Sequence, residues 1–387
     1  MDILVVIVTF VLSVALAKQF AKTIQECYQS SLWIMLGMHM LTTIGFYFVT
    51  NNGGGDAWGY WHAGRGLSWE TAMPLLSEAK GTYFMHGFNY FFSGFLGLGF
   101  FANTCVYAFL GFWGMLYFYR IAYEQVPLNS RFQGLKLFPF LFYIPMLHFW
   151  SSGIGKDTLL FWSIGMFAYG LLNIPKRFLL IAFGFLFAYA VRPHVAFLLV
   201  AAFGTAYILD GRTSMGKRLF LGAIMFAGAI VILPTVMDYV KIEEISVESI
   251  ESYSDNKAGL LSRSHTGSSV DISGYPPPLK WFTFLFRPLF FDINGVPALV
   301  ASFENLLLLL IFFKVMRNKP VEAFRKAPFV IKGLTLFLIL GTVLMSGALG
   351  NLGVMIRMRN MFLPGMMIYF LWVLSYAQVK GKSNVGS

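Results

Sequence analysis

The chain has 387 residues, of which 57% are hydrophobic and only 12% are charged, and its mean hydropathy is +0.66. Soluble domains carry about 25% charged residues, so this composition excludes an ordinary soluble enzyme and predicts a polytopic membrane protein. The net charge of +11 does not indicate a nucleic-acid partner, because the positive charges cluster in short loops, as topology signals do. Cys27 and Cys105 show the spacing of neither a disulfide framework nor a metal site.

Apolar runs mark the predicted membrane spans, which need about 17 to 25 residues each. We predict an all-α transmembrane helical bundle of about 11 spans, forming a single integral membrane domain over residues 1–387. The predicted spans are 3–17, 31–50, 88–118, 136–150, 157–174, 178–191, 194–209, 219–237, 290–313, 331–348 and 360–378. The run 88–118 is too long for one straight span and is expected to be tilted or broken. Boundaries within 136–209 can be drawn in other ways, because Lys176 and Arg192 interrupt a nearly continuous apolar stretch.

The basic residues favour one orientation. With the N-terminus outside, the inner loops hold 18 of the 29 basic residues and four acids, whereas the outer side holds 11 basic and 14 acidic residues. This asymmetry follows the positive-inside rule and predicts an outer N-terminus and an inner C-terminus. The first apolar run is expected to be a retained helix rather than a signal peptide, because Asp2 precedes it and Lys18 and Lys22 follow it.

Two long loops are predicted on the outer face, at 51–87 and 238–285. In the first, SWETAMPLLSEAK is amphipathic and is expected to lie along the membrane interface as a helix. The second opens with the acidic stretch KIEEISVESIESYSD, for which a helix is expected, and continues through a Ser-rich segment. It ends in GYPPPLKWF, where Tyr275–Pro278 predicts a stiff extended turn.

Ionisable residues gather at the outer ends of five connections between spans. Charged groups at membrane depth are costly and usually face a cavity or a partner. Arginine binds phosphate through two parallel hydrogen bonds and lysine acts as a compact positive charge, so we predict a site for an anion, most simply a lipid phosphate. The candidate phosphate-binding residues are Lys156, Arg192, His194, Arg287 and Arg357, and the candidate lining residues are Tyr60, His62, Arg65, Asp157 and Arg359. We expect Arg192, Arg287 and Arg357 to converge on one anion site.

Asp56 is the candidate catalytic residue. It follows three glycines in NNGGGDAWGYWHAGR, which let the backbone turn tightly just past a helix end. A carboxylate held there can remove a proton from a hydroxyl nucleophile as a general base. The alternative is a structural role, as a helix cap or as a salt-bridge partner of Arg65. The neighbouring aromatics, such as Trp58 and Trp61, either stack on a sugar or form the usual aromatic belt at a membrane interface.

The segment SSGIGKDTLLF resembles a phosphate loop only superficially. Trp150 and Asp157 replace the first glycine and the Ser/Thr of the Walker pattern, so an ATPase is excluded. Asp157 is a candidate helix cap. Lys156 faces either the ligand or lipid headgroups, and Arg192 either binds the ligand or snorkels to the interface.

Three charged residues near the C-terminal half have structural alternatives. Arg357 and Arg359 are two positions apart, so on a helix they point in different directions and at most one is expected to enter a cavity. Glu304 lies within a predicted span and is expected to be the buried structural partner of an arginine.

Several segments resemble known membrane glycosyltransferases. An acidic residue in the first outer loop, followed by an amphipathic segment and GTYFMHGFNYFFSGFLG, resembles the GT-C class. The runs PMLHFWSSGIGKDTLLFWSIGMFAYG, AYAVRPHVAFLLVAAFG, RPLFFDINGVPALVASFENLLLL and IRMRNMFLPGMMIYFLW resemble bacterial polysaccharide polymerases of the O-antigen type. The chain departs from the GT-C pattern in that two spans precede Asp56 rather than one, and in that Ala57 replaces the usual second acid.

The resemblance implies a glycosyltransferase or glycan polymerase that uses a polyprenyl-linked donor at the outer face of a bacterial cytoplasmic membrane. Asp56 matches the loop aspartate that acts as the base in the GT-C class, and Arg192, Arg287 and Arg357 match arginines that hold the donor pyrophosphate in the polymerases. The implied partners are a lipid-linked sugar donor, a glycan acceptor, membrane lipids and other polysaccharide-assembly proteins, with no nucleic acid.

No nucleotide or soluble cofactor is implied, and a divalent metal has no clear ligand set. The alternative function is a transporter or flippase for a lipid-linked glycan. That function predicts polar residues through the whole membrane depth rather than mainly at its outer side.

Overall fold

The computed structural model describes residues 1–51, 55–210, 214–240 and 267–385, and the chain divides into two compact units. Unit 1 comprises Met1–Glu124 and Phe138–Ala196, and unit 2 comprises Gln125–Leu137 and Phe197–Ser387. The regular structure in the described ranges is helical apart from one two-stranded antiparallel hairpin. The all-α class is therefore confirmed, whereas the single integral domain stays a prediction.

Unit 1 contains two long N-terminal helices, a group of short helices and a helical hairpin. Its helices are α1 (Asp2–Ala21), α2 (Glu26–Thr50), α3 (Gly55–Arg65), α4 (Trp69–Ser77), α5 (Thr82–Asn89), α6 (Phe100–Gln125), α7 (Leu137–Phe140), α8 (Pro145–Phe149), α9 (Lys156–Gly170) and α10 (Ile174–Val191). A π-helical segment, Tyr90–Phe95, follows α5, and 3₁₀ turns occupy Leu141–Tyr143 and Leu171–Asn173. Helix α11 (Pro193–Ile208) begins in unit 1 and continues into unit 2.

Unit 2 contains the small hairpin and the C-terminal helices. The hairpin pairs β1 (Arg131–Phe132) with β2 (Leu135–Lys136). The helices are α12 (Met215–Val240), α13 (Pro277–Phe286), α14 (Val296–Met316), α15 (Pro320–Lys326), α16 (Phe329–Ser346), α17 (Leu352–Arg359) and α18 (Leu363–Val385), with a 3₁₀ turn at Phe290–Asp292.

Seven helical segments are long and apolar enough to cross a membrane, or eight if α17 and α18, which meet at a bend of 62°, count as one span. This finding concerns the described residues and supports a multi-pass membrane protein. The number of 11 spans, the orientation and the outer position of 51–87 and 238–285 stay predictions.

Two predicted spans are interrupted in the structure. The run 88–118 is broken, as expected: α5 ends at Asn89, the π-helical segment follows, and α6 begins only at Phe100. The run 136–150 differs from its prediction as one span, because it is divided into α7, a 3₁₀ turn and α8. Pro139 and Pro145 lie within this run, and each lacks the backbone N–H that a continuous helix requires.

The predicted spans 157–174 and 178–191 correspond to α9 and α10, which form an antiparallel hairpin. Gly184 on α10 lies so close to α9 that a Cβ atom there would be 2.6 Å from the carbonyl oxygen of Ser163. Nearer the open end of the hairpin, the rings of Trp162 and Phe187 are 5.2 Å apart. The 36-residue stretch Lys156–Val191, counted above as one apolar segment, therefore folds back on itself, which agrees with two separate runs.

Helix α4 confirms the helix predicted in SWETAMPLLSEAK. Its N-cap, Ser68, accepts a hydrogen bond from the N–H of Thr71, and the Thr71 hydroxyl accepts one from the N–H of Ser68. Ala72 is fully buried while Trp69 is 56% exposed, so the helix is amphipathic. Its location along a membrane interface stays a prediction.

The second long loop lies partly outside the described residues. The acidic stretch and most of the Ser-rich segment fall there. At the end of the loop, Pro276 has the extended conformation predicted for this turn (φ −65°, ψ 154°). Pro277 and Pro278, which were also predicted to be extended, instead form the start of α13.

Glycines allow the helices of each core to approach closely. In unit 1, a Cβ on Gly114 of α6 would lie 2.8 Å from the Cα of Trp162. In unit 2, a Cβ on Gly365 of α18 would lie 2.9 Å from the carbonyl oxygen of Leu334. Such small residues are the usual means by which membrane helices bring their backbones together.

Candidate functional site

A polar cluster in unit 1 is assembled from α3, α5, α9 and the end of α10. The ammonium of Lys156 donates a hydrogen bond to the Thr82 hydroxyl at 2.9 Å and lies 6.0 Å from the centroid of the Tyr60 ring. The Tyr60 and His86 rings are also 6.0 Å apart. We define the Lys156 cluster as Tyr60, Thr82, His86, Lys156, Asp157 and Arg192.

The start of α5 is held in place by the end of α10. Gly81 adopts φ +66°, a conformation that favours glycine, and its N–H donates to the carbonyl oxygen of Ala190 at 2.9 Å. Thr82 and His86 follow four positions apart, so both lie on the same face of α5. This face meets Tyr60 and Lys156.

Asp157 and Arg192 form an ion pair at the open end of the α9–α10 hairpin. An Arg192 Nη2–H donates to the Asp157 carboxylate at 3.2 Å, and both residues are buried. The two residues were predicted to line the site and to bind phosphate, respectively, and the structure brings them together. An anionic ligand that reaches Arg192 therefore competes with Asp157 for the guanidinium.

Asp56 is the second residue of α3 and is exposed. The preceding Gly55 has φ +77°, which agrees with the predicted tight turn, although residues 52–54 lie outside the described ranges. Asp56 precedes Tyr60 by one helical turn, so the two residues lie on the same side of α3. The first turn of a helix also stabilises a negative charge.

Arg65, the predicted salt-bridge partner in the structural alternative, lies at the opposite end of α3. It is nine positions from Asp56, which is about 13.5 Å along a helix axis. Its guanidinium lies over the Trp61 ring, 4.9 Å from the centroid. Arg65 and His62 are both exposed, and His194 is half-buried in the first turn of α11.

One of the neighbouring aromatics has a structural role. Trp61 is 8% exposed and donates its indole N–H to the Leu98 carbonyl oxygen at 2.9 Å. It also packs against Trp58 and Phe100. Trp61 therefore anchors α3 rather than presenting an open ring face for a sugar.

Thr82 and His86 were not among the predicted site residues. Burial and the nearby Lys156 ammonium lower the pKa of the His86 imidazole from its ordinary value. His86 is therefore neutral at pH 7, and a neutral imidazole can donate one hydrogen bond and accept another. The i,i+4 spacing of Thr82 and His86 in GTYFMHGFN was the available signal, but it does not reveal the contact with α9.

In unit 2, the predicted phosphate-binding residue Arg287 is held in an ion pair rather than in a cluster like that of Lys156. Arg287 donates from Nε to one oxygen of Asp292 at 3.0 Å and from Nη2 to the other, and the Leu289 N–H donates to the same carboxylate at 2.9 Å. These charge-assisted bonds to Asp292, with a further hydrogen bond that Arg287 donates to the Tyr275 hydroxyl, raise the pKa of the Arg287 guanidinium. The pair holds the turn between α13 and α14.

Arg359 lies within the interior of unit 2. It is 2% exposed and donates to the Leu285 carbonyl oxygen and, at 2.7 Å, to the Asn305 side-chain oxygen. Asn305 in turn donates to the Pro288 carbonyl oxygen at 2.7 Å. Arg359 was predicted to line the substrate site, but its contacts are those of a structural residue.

Glu304 and Arg357 are the other charged candidates in unit 2. Glu304 is 7% exposed and interacts electrostatically with Arg359, so the expected buried partner of an arginine is confirmed. Arg357 is half-buried, and it is the more exposed arginine of the pair. Arg192 belongs to unit 1 and Arg287 and Arg357 to unit 2, and their convergence on one anion stays a prediction.

No protein-family profile, curated protein or solved structure matches the chain. The class therefore rests on the fold itself, which is that of an integral, multi-pass helical membrane protein. Among the described residues, no group of three or more His, Cys, Asp and Glu side chains is suitable for holding a metal ion.

Proposed function

We propose that the chain is a membrane glycosyltransferase or polysaccharide polymerase that transfers a sugar from a polyprenyl-linked donor at the outer face of the membrane. The observation that supports this most directly is the Lys156 cluster, with Asp56 one helical turn from Tyr60. From this spacing we infer that a candidate base and a cationic group lie close together in unit 1.

The donor phosphate is assigned to the start of α9. Lys156 supplies a compact positive charge, Arg192 supplies a guanidinium, and the first backbone N–H groups of α9 add the positive end of a helix dipole. Both the Thr82 hydroxyl and a phosphate oxygen can accept a hydrogen bond from an ammonium, which has three N–H donors. A phosphate can therefore join or replace Thr82 as a partner of Lys156.

The reaction is a direct displacement at the anomeric carbon. The Asp56 carboxylate takes the proton of the acceptor hydroxyl, whose oxygen forms the new glycosidic bond. The bond between the anomeric carbon and the donor phosphate breaks, and its electrons go to the phosphate oxygen. Lys156 stabilises the negative charge that develops on that oxygen. Neutral His86 is suited to orient a sugar hydroxyl.

The function is tested with purified full-length protein in liposomes that contain a polyprenyl-diphosphate-linked sugar and an acceptor glycan. We expect a new glycosidic product to form with release of polyprenyl diphosphate. A parallel assay follows movement of a fluorescent polyprenyl-diphosphate sugar between leaflets. Movement without product would overturn the transferase proposal in favour of a flippase.

A further inference from the structure

Two histidines meet in the interior of unit 1, away from the Lys156 cluster. His39 lies near the middle of α2, about 20 Å from its first residue and about 17 Å from its last at 1.5 Å per residue. His148 lies on α8. Both side chains are 0% exposed, and their Nδ1 atoms are 3.1 Å apart.

The second nitrogen of each ring faces a backbone carbonyl. His39 Nε2 lies 2.9 Å from the Ala108 oxygen on α6, and His148 Nε2 lies 2.8 Å from the Phe142 oxygen. A carbonyl oxygen only accepts hydrogen bonds, so both Nε2 atoms must carry a proton. These two protons account for the whole proton content of two neutral imidazoles.

The short contact between the two Nδ1 atoms therefore needs a third proton. Without it, two nitrogen lone pairs would face each other at 3.1 Å. If one ring instead moved its proton to Nδ1, its bare Nε2 would face a carbonyl oxygen at hydrogen-bond distance. Only three protons on the two rings satisfy all three contacts at once.

We infer that His39 and His148 bind one proton between them, so that the pair carries a single positive charge inside unit 1. The proton lies on the line between the Nδ1 atoms, and each ring donates its Nε2–H to a carbonyl. Burying a charge is costly, but hydrogen bonds to a charged group are about twice as strong as those between neutral groups. Here the charge is spread over two rings and faces the negative ends of two carbonyl dipoles.

Among the residues that the structure describes, no carboxylate interacts with either ring. In the described part of the chain, the two rings contact each other. The His39 ring also contacts the Ala108 carbonyl and the Phe112 ring, and the His148 ring contacts the Phe142 carbonyl. On the adjoining elements, the titratable side chains nearest in sequence to the two carbonyls are Tyr107 and Cys105, close to Ala108 on α6, and Tyr143, beside Phe142. The Tyr107 hydroxyl accepts a hydrogen bond from Asn89. Thr43 and Ser151 bond to the backbone carbonyls of the two histidines.

The direct test counts protons on the wild-type rings. The full-length protein is labelled with ¹⁵N-histidine and its nitrogen spectrum is recorded in lipid nanodiscs at pH 7. His39→Gln and His148→Gln assign the signals among the chain's six histidines, and His62→Gln is the matched control at an exposed position. We expect both Nε2 atoms to be protonated and one further proton to be shared by the two Nδ1 atoms. Only two protons on the pair would overturn the inference.

A second test uses the pH dependence of stability. Unfolded histidines lose their protons near pH 6.5, so above pH 7 the folded pair holds one proton more than the unfolded chain. The unfolding constant should then rise about tenfold per pH unit for as long as the folded pair keeps its proton. The double variant His39→Gln/His148→Gln should lack this slope, and His62→Gln should keep it.

Equal slopes in the wild type and the double variant between pH 7.5 and 9 would contradict a bound proton. If the double variant does not fold, the proton count on the wild-type rings decides alone. A wild-type spectrum that changes on adding EDTA would assign the two Nδ1 atoms to a metal ion and would also overturn the inference.

Discussion

The Lys156 cluster of unit 1 and the Arg287–Asp292 pair of unit 2 use the same types of residue in different ways. Arg287 and Asp292 are five positions apart in the chain, and the guanidinium meets both carboxylate oxygens. Lys156 and Thr82 are 74 positions apart, and the ammonium donates to a neutral hydroxyl. The Arg287–Asp292 pair is local, and its guanidinium binds both oxygens of the carboxylate. The Lys156 cluster is assembled from helices that are distant in the chain.

This difference separates two roles that look alike in the sequence. A guanidinium held by both oxygens of a carboxylate is already engaged in the geometry that a phosphate would use. A lysine bonded to a hydroxyl keeps its positive charge and can exchange that hydroxyl for an anion. We therefore expect substitutions at Asp56 and in the Lys156 cluster to change turnover, and those at the Arg287–Asp292 pair to change stability.

The largest expected effect is that of Asp56→Asn. The two side chains have nearly the same shape, and an exposed first-turn position tolerates either, so the fold should be kept. Product formation should fall about 10²–10⁴-fold, the usual contribution of a general base. The measurement is product per unit of membrane-inserted protein, with donor binding followed alongside. Glu70→Gln, an exposed acid on α4, is the control, and near-normal product from Asp56→Asn would remove Asp56 from catalysis.

The next effect is that of Lys156→Gln. Loss of the charge that stabilises the leaving phosphate should lower turnover by about 10²-fold, within the range for removal of one transition-state donor. Lys80→Gln is the matched control, because Lys80 also lies in unit 1 and over a tyrosine ring, that of Tyr189, at 5.1 Å. Equal losses in the two variants would mean that the Lys156 cluster has no special role.

Asp292→Asn should act in the opposite manner. It removes the charged partner of Arg287, which leaves a partly buried guanidinium with a weaker acceptor, and should cost about 2 kcal/mol of stability. The melting temperature of the purified protein should fall, while the turnover of the protein that remains folded should stay near normal. A loss of turnover at unchanged melting temperature would place Arg287 in the donor site and would remove the contrast with unit 1.

The smallest effect concerns the pKa of His86. Lys156→Gln removes one of the two causes that lower this pKa, so it should rise toward its ordinary value while burial still holds it below. In the wild type, an unfolded histidine binds a proton more readily than folded His86. The contribution of His86 to stability is therefore present above about pH 6.5 and is lost as the pH falls. Titration of the ring by NMR measures the change, and an unchanged pKa would contradict the proximity of Lys156.

Features encoded locally could be predicted from the sequence. The all-α class follows from the apolar runs, and the helix at α4 from an amphipathic segment that begins at Ser68. The break within 88–118 follows from its length. The buried position of Glu304 follows from the cost of a charge in an apolar span.

Features that depend on distant partners could not be predicted. Hydropathy does not reveal that Asp157 pairs with Arg192, because both residues lie at span ends where a lipid or ligand contact is equally expected. His86 lies among aromatics in an apolar run, and only the packing of α5 against α9 brings it close to Lys156. In 136–150 the apolar composition predicted one continuous span, although Pro139 and Pro145 interrupt the helix there.

The packing of α9 against α10 has a consequence for how the chain enters the membrane. Neither arm is long: α9 has 15 residues and α10 has 18. If α9 and α10 enter the bilayer together, they can pack against each other as they insert. At Gly184 the two helix backbones approach closely because no side chain lies between them. Arg177 lies over the Tyr169 ring, 3.9 Å from the centroid, and donates to the Tyr169 carbonyl at 3.2 Å, which binds the positive charge of the turn to the end of α9. The hairpin is thus suited to insertion as one unit, and a bulky residue at 184 is expected to impair biogenesis before it affects any chemistry.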